Sequence, residues 1–153
     1  MAHITKKIVV NAPFSDVVPG AISSSPEFWP EWYVGLSAPT SKKGDGEVGT
    51  VSEHSMRIAG RDVPFTHTVV ESTNDGIDAR WKGTFTGALE GWHQWTYHLV
   101  NGHTEIAVEH EYRLTAGPVG KFVDLAFVER VIARMLEHSL ENLKMLTEAR
   151  VAA

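Results

Sequence analysis

The 153-residue chain contains no cysteine. That removes disulfides, thiolate catalysis and Cys-based metal sites, and says little about compartment. It also lacks an excess of basic charge: 14 Lys and Arg stand against 19 Asp and Glu, for a formal net charge of −5 and a pI near 5.9. Nucleic-acid binding normally needs a basic stripe and an anionic membrane a basic patch, and the cations here do not cluster. No apolar run reaches the length of a membrane span. The opening residues 1–7 are followed only by Ile8-Val9-Val10, too short for the apolar core of a signal peptide, so a cytoplasmic location is expected. Linker-like segments, low-complexity segments and internal repeats are also missing, so a single domain over residues 1–153 is expected.

What is present is ordinary globular composition, with 42% hydrophobic and 22% charged residues, enough to bury a real core at this length. Residues 3–11 read as a strand with Ile4, Ile8 and Val10 on one face. Pro13-Phe14-Ser15-Asp16 reads as a helix start that Pro19-Gly20 should break early. A second short helix is expected from Ser25 to about Glu31, with Pro26 at its first position. Turn signals follow at Lys43-Gly44-Asp45-Gly46, Ala59-Gly60-Arg61-Asp62 and Asn74-Asp75-Gly76. Asn101-Gly102 is the strongest hairpin signal and joins strands expected near 89–100 and 103–114. Consecutive hairpins without crossover helices imply an antiparallel sheet.

The last strand alternates cleanly. Ile106, Val108, His110, Tyr112 and Leu114 share one face, and Glu105, Glu109, Glu111 and Arg113 the other, so one side is covered and one is wet. The cover is a C-terminal helix, introduced by Gly117-Pro118 and running to about Ala149. At 100° per residue Leu125, Val128, Ile132, Met135, Leu136, Ser139, Leu143 and Leu146 form a stripe, opposite Arg130, Arg134, Glu137, Glu141, Lys144 and Glu148. A helix of about 30 residues spans roughly 45 Å, long enough to cross the sheet.

This order of elements is that of the helix-grip fold, class α+β: a curved antiparallel sheet of about six or seven strands on a long C-terminal helix, with two short helices after the first strand. The local motifs resemble those of the START-like (SRPBCC) superfamily, within it the polyketide cyclase/dehydrase and lipid-transport group. They are Val10-Asn11-Ala12-Pro13 leading to Val17-Val18, Phe28-Trp29-Pro30-Glu31-Trp32, Gly46-Glu47-Val48-Gly49-Thr50, the hairpin from Trp95-Thr96-Tyr97-His98 to Asn101-Gly102-His103-Thr104, and Leu136 to Lys144 in the last helix. The resemblance implies a hydrophobic cavity between sheet and helix that binds or transforms a lipid, polyketide or aromatic metabolite. Pro19-Gly20 departs from the family's unbroken first helix.

Strand parity offers three further sets: Ile77, Ala79, Trp81 and Phe85; Trp95, Tyr97 and Leu99; Val63, Phe65, His67 and Val69. Facing the helix, these aromatics either fill the core or line a ligand cavity. Trp92 differs in parity from Trp95 and shares its face only across a bulge. His54, His67 and His110 interrupt apolar faces, and Ser139 stands mid-stripe where Leu is expected. A buried polar group without a partner costs about 1–3 kcal/mol, so each needs protein, water or ligand. The histidines are either satisfied core residues or the polar floor of a site. Ser139 has the simpler option of bonding back to the carbonyl one turn earlier.

The expected cavity wall is Met56, Phe65, His67, Trp81, Phe85, Trp95, Tyr97, His110, Tyr112, Met135, Leu136 and Ser139. The rival expectation is an enzyme of the cyclase/dehydrase type, with His110 or His67 as acid/base and Tyr97 or Tyr112 as proton donor or oxyanion partner. Arg57 and Arg80 fall on the opposite parity, which weakens that rival. No metal or cofactor is expected. The eight histidines form no H-E-x-x-H or H-x-H pattern, and there is no G-x-S-x-G and no phosphate-cradling glycine loop. Val123 and Phe127 project from the helix's solvent side, toward the adjacent loop, a gate or a homodimer contact.

Overall fold

The computed structural model describes residues 2–17, 25–115 and 125–153. Seven strands form one antiparallel sheet in the order β1-β7-β6-β5-β4-β3-β2. They are β1 (Ala2–Val10), β2 (Ser41–Lys43), β3 (Val51–Ile58), β4 (Arg61–Asn74), β5 (Asp78–Gly87), β6 (Leu89–Val100) and β7 (His103–Leu114). A four-residue helix α1 (Phe14–Val17) and a 3-10 helix (Pro26–Glu31) separate β1 from β2, and α2 (Leu125–Ala152) closes the chain. Val123, Gly117-Pro118 and Pro19-Gly20 lie outside the described residues. Among the described residues no helix is long and apolar enough to cross a membrane.

The strongest local signal behaves as its chemistry requires. Asn101 and Gly102 take φ of 50° and 79°, the left-handed pair that matches the twist of a two-residue hairpin. β6 and β7 then pair along their full lengths, from Leu89–Leu114 to Val100–His103. Period 2 also holds elsewhere: Ser52, His54, Met56 and Ile58, then Val63, Phe65, His67 and Val69, are all buried. A bulge between Val69 and Glu71, set against Gly83 and Lys82, leaves Val70 as the extra residue and bends the sheet there. Ile77 does not follow Ala79 and Trp81 inward. It precedes β5, in the turn, and is 56% exposed. Trp92 stays on the outer face, under Lys82 Nζ at 4.5 Å from its ring.

The helix stripe needs correcting at both ends. Val128, Ile132, Met135, Leu136, Ser139 and Leu143 are buried, but Leu125 is 71% and Leu146 44% exposed, while Leu140 and Thr147 are buried instead. The buried line drifts around the axis as α2 leans on β1 and α1. That lean also recruits two residues expected on the wet side. Lys144 Nζ donates to Val9 O at 2.7 Å, and Glu148 Oε1 accepts from Asn11 N at 2.9 Å. They satisfy backbone groups at the sheet edge that would otherwise invite another strand.

Candidate functional site: an aromatic and histidine interior under the 3-10 helix

Every expected wall residue is buried on the concave side of the sheet or on the inner face of α2. The strand members come together; the helix members do not all join them. Ser139 Oγ donates to Met135 O at 2.6 Å and accepts the Val34 N–H at 2.9 Å. Its polar capacity therefore ties the segment after the 3-10 helix to α2. Asn142 Nδ2 reinforces the tie by donating to Trp32 O at 3.3 Å. Met135 lies against Gly35, whose Cβ position its methyl group blocks.

Sequence reasoning did not assign the cover itself. Trp29, Trp32 and Tyr33 come from the 3-10 helix and the residues just after it, and insert into the concavity. Trp29 stacks on His54 at 5.5 Å and meets His67 and Trp81 edge-on at 5.1 and 5.5 Å. Trp32 meets Trp95 edge-on at 5.4 Å. Pro26 at the helix start and the ring-rich P-E-F-W-P-E-W-Y stretch are the local signal, but no periodicity says which ring turns inward.

Behind this cover a line of rings crosses the sheet. His67 stacks on Trp81 at 5.3 Å with planes 8° apart. His93 lies 5.1 Å from His67 and 5.9 Å from His110, and His110 lies 5.5 Å from Tyr112. His93 went unassigned, although it shares period 2 with Trp95 and Tyr97. His93 Nε2 stands 3.0 Å from His67 Nε2, and Trp95 Nε1 donates to His93 Nδ1 at 3.2 Å. His54 is satisfied separately, donating from Nδ1 to Ser37 O at 3.0 Å and accepting from Ser52 Oγ at 2.8 Å.

Burial favours the neutral form of these histidines. Desolvation by burial pushes His67 and His110 down to about 3, with nearby His54 adding to the effect on His67. Burial first, then the neighbouring His67 and His110, holds His93 well below its ordinary value. Burial, then the carboxylate of Glu129, raises Tyr112 to about 12. No Asp, Glu, Lys or Arg is buried among the described residues.

Several buried polar atoms in this interior have no protein partner: Trp32 Nε1, Trp81 Nε1, Tyr33 Oη, His67 Nδ1, Tyr112 Oη and both nitrogens of His110. Such groups are rare in folded proteins and each costs about 1–3 kcal/mol, so each calls for a partner that the protein itself does not supply, water or ligand. At the β7 end the line reaches a cleft of about 290 Å³, lined by Ala2, Tyr112, Arg113, Leu114, Leu125, Val128 and Glu129. Leu125, exposed against expectation, is one of its walls. Larger depressions of about 500 Å³ lie elsewhere, among Glu71, Asp75, Asp78, Arg80 and His98, and among Lys7, Val9, Thr96, His98 and Glu105. Thr96 and His98, on the outward parity of β6, line both. The buried histidines lie toward the other face of the sheet.

Arg57 and Arg80 are exposed, paired with Asp62 at 3.0 Å and Glu71 at 3.6 Å. Phe127 is 45% exposed. Among the described residues no group of three or more His, Asp or Glu could hold a metal ion.

The fold is shared widely. A START superfamily protein from Mycobacterium smegmatis superposes with a TM-score of 0.72 at 16% identity, covering 96% of this chain and 97% of the other. A protein from Thermus thermophilus gives 0.75 at 16% identity over 97% and 99%. The Zhui aromatase/cyclase from a Streptomyces species gives 0.68 at 16% identity over 98% and 95%. No curated protein matches the sequence. Residues 1–148 match the family described as polyketide cyclase / dehydrase and lipid transport, and the chain belongs to that family.

Proposed function

We propose that this protein binds a small, neutral, largely apolar molecule carrying hydrogen-bond-accepting oxygen, entered through the cleft beside β7 and the start of α2. The observation that carries this reading is the pair His110 and Tyr112. A fully buried imidazole with both nitrogens unpartnered adjoins a phenol that is also unpartnered and lines the cleft. The cleft is near the lower end of the range of small-molecule sites, about 300 Å³, which argues for a compact ligand.

The polarity of the interior narrows the chemistry. Indole nitrogens only donate, so Trp32 and Trp81 offer hydrogens and no acceptor, and the aromatic walls favour a flat, apolar body. Arg113 and Glu129 both line the cleft, but the Arg113 guanidinium is already paired with Glu90 at 2.6 Å, which leaves the Glu129 carboxylate to disfavour an anionic ligand such as a free fatty acid. In this reading Tyr112 meets the ligand in the cleft, and Phe65, Trp81, Phe85, Trp95 and Tyr97, with Met56 and Leu136, form the apolar interior beyond it. Acid/base catalysis by His67 or His110 is less well supported, because a general base works best with a pKa near the working pH, and burial holds both at about 3.

The test is titration with 1-acetonaphthone, followed by quenching of tryptophan fluorescence. Binding by the wild type, about tenfold weaker in Tyr112→Phe, matches loss of one hydrogen bond from a desolvated site. Equal affinity of the two proteins, or no binding by either, overturns the proposal. Native mass spectrometry of freshly purified protein then identifies the class of any retained ligand.

A further inference from the structure

Three side chains in the middle of the sheet form one hydrogen-bonded line whose direction is forced. Trp95 Nε1 donates to His93 Nδ1 at 3.2 Å, so that nitrogen must present a lone pair. A neutral His93 therefore carries its proton on Nε2 and donates it to His67 Nε2, 3.0 Å away. His67 in turn is left with its proton on Nδ1. The reverse direction would make His93 accept at both nitrogens, which only an imidazolate does. An added proton on His93 Nδ1 would face the indole N–H, and one on His67 Nε2 would face the N–H of His93. The line is whole only while both rings are neutral, in keeping with the burial of both. It ends on His67 Nδ1, buried and without a partner.

The contact depends on a missing side chain. His67 is on β4 and His93 on β6, with β5 between them. The β5 residue under their meeting point is Gly83, opposite Val69 on one side and His93 on the other. A Cβ there would overlap His67 Nε2 and stand 2.6 Å from its Cε1 and 3.0 Å from His93 Nε2. Side chains on one face of strands two apart are normally kept from touching by the residue between. Gly83 is the aperture that lets these two meet.

We propose that Trp95, acting through His93 across the Gly83 aperture, fixes His67 as an Nδ1–H donor and so makes the deep interior selective for a ligand acceptor. Trp95, His93 and Gly83 are positioning residues, and His67 is the group that meets the ligand. The selectivity rests on the binding reading above; the tautomer lock does not.

Long-range proton–nitrogen correlation spectra of uniformly ¹⁵N-labelled protein read the lock directly. The wild type should show His93 protonated on Nε2 and His67 on Nδ1, the form that a histidine side chain disfavours in water. In Trp95→Phe both rings should shift toward the opposite tautomer, a signature that a merely structural role for the indole would not move. A wild type with His67 protonated on Nε2 overturns the lock without any variant. Selectivity is read as the affinity ratio of 1-acetonaphthone to 1-ethylnaphthalene. It should be about fivefold or more in the wild type, from about one hydrogen bond, and should drop in Trp95→Phe and in His93→Phe. A ratio unchanged in a folded variant of either kind overturns the selectivity. His67 protonated on Nδ1 in a protein that binds neither probe leaves the lock standing and removes the binding reading. Probe binding with His67 protonated on Nε2 does the reverse.

Discussion

Gly83→Ala tests the packing logic of the interior most sharply. The added methyl group overlaps His67 Nε2 and crowds His93 Nε2, and the β5 backbone that carries it is paired on both sides and cannot retreat. One imidazole must turn away. That breaks the 3.0 Å bond and leaves a buried donor and a buried acceptor unpaired, at about 1–3 kcal/mol. Overpacking adds about 1–3 kcal/mol. Against this, alanine in place of a strand glycine returns about 0.5–1 kcal/mol of backbone entropy. The net expectation is a loss of about 3 kcal/mol, or about 10 °C in Tm for a chain of this size. Urea unfolding followed by circular dichroism measures it, and the same substitution in a His67→Ala background supplies the control. There the methyl group enters vacated space, so its cost should fall below about 1 kcal/mol, a coupling typical of residues in direct contact. A Gly83→Ala protein within about 0.5 kcal/mol of wild type, or one equally destabilised in both backgrounds, would refute the argument.

Two further outcomes follow from the same interior. His67, His93 and His110 resist protonation when folded but accept it near pH 6.5 when unfolded. From about pH 6.5 down to about 3 the unfolded chain therefore binds more protons, and stability falls as pH falls. The slope approaches about 1.4 kcal/mol per pH unit for each histidine, about 4 for the three together. Denaturation midpoints between pH 7 and 4.5 measure it, and His110→Leu should reduce the slope by about a third; a flat profile contradicts the burial. Ser139→Ala removes the acceptor of the Val34 N–H but also a back-bonded serine from mid-helix, so a net loss of about 1 kcal/mol is expected. Thermal unfolding should show a decrease of about 2–4 °C, and an unchanged Tm would mean that Val34 finds another partner.

Local chemistry determined much of this protein from the sequence alone. Asn101-Gly102 dictates its own backbone geometry, and the hairpin on either side of it lies where the alternation from Ile106 to Leu114 puts it. Period 2 placed Phe65, His67, Trp81, Trp95, His110 and Tyr112 on the concave face, because a strand has only two sides. The centre of the α2 stripe was equally legible. Its ends were not: helical period says which residues share a face, whereas the lean of α2 on β1 and α1 decides where that face stops being covered, exposing Leu125 and Leu146 and burying Leu140 and Thr147. Ser139 was readable as a back-bonded serine, but its second bond, to Val34, joins segments 105 residues apart. The interior chemistry was hidden for the same reason. His93 and His67 are 26 positions apart, and they meet only because sheet order and register put the side-chain-free Gly83 between them. One-dimensional pattern carries the face of each residue; which residues of that face touch, and hence which nitrogen holds the proton, is decided by strand register and sheet curvature.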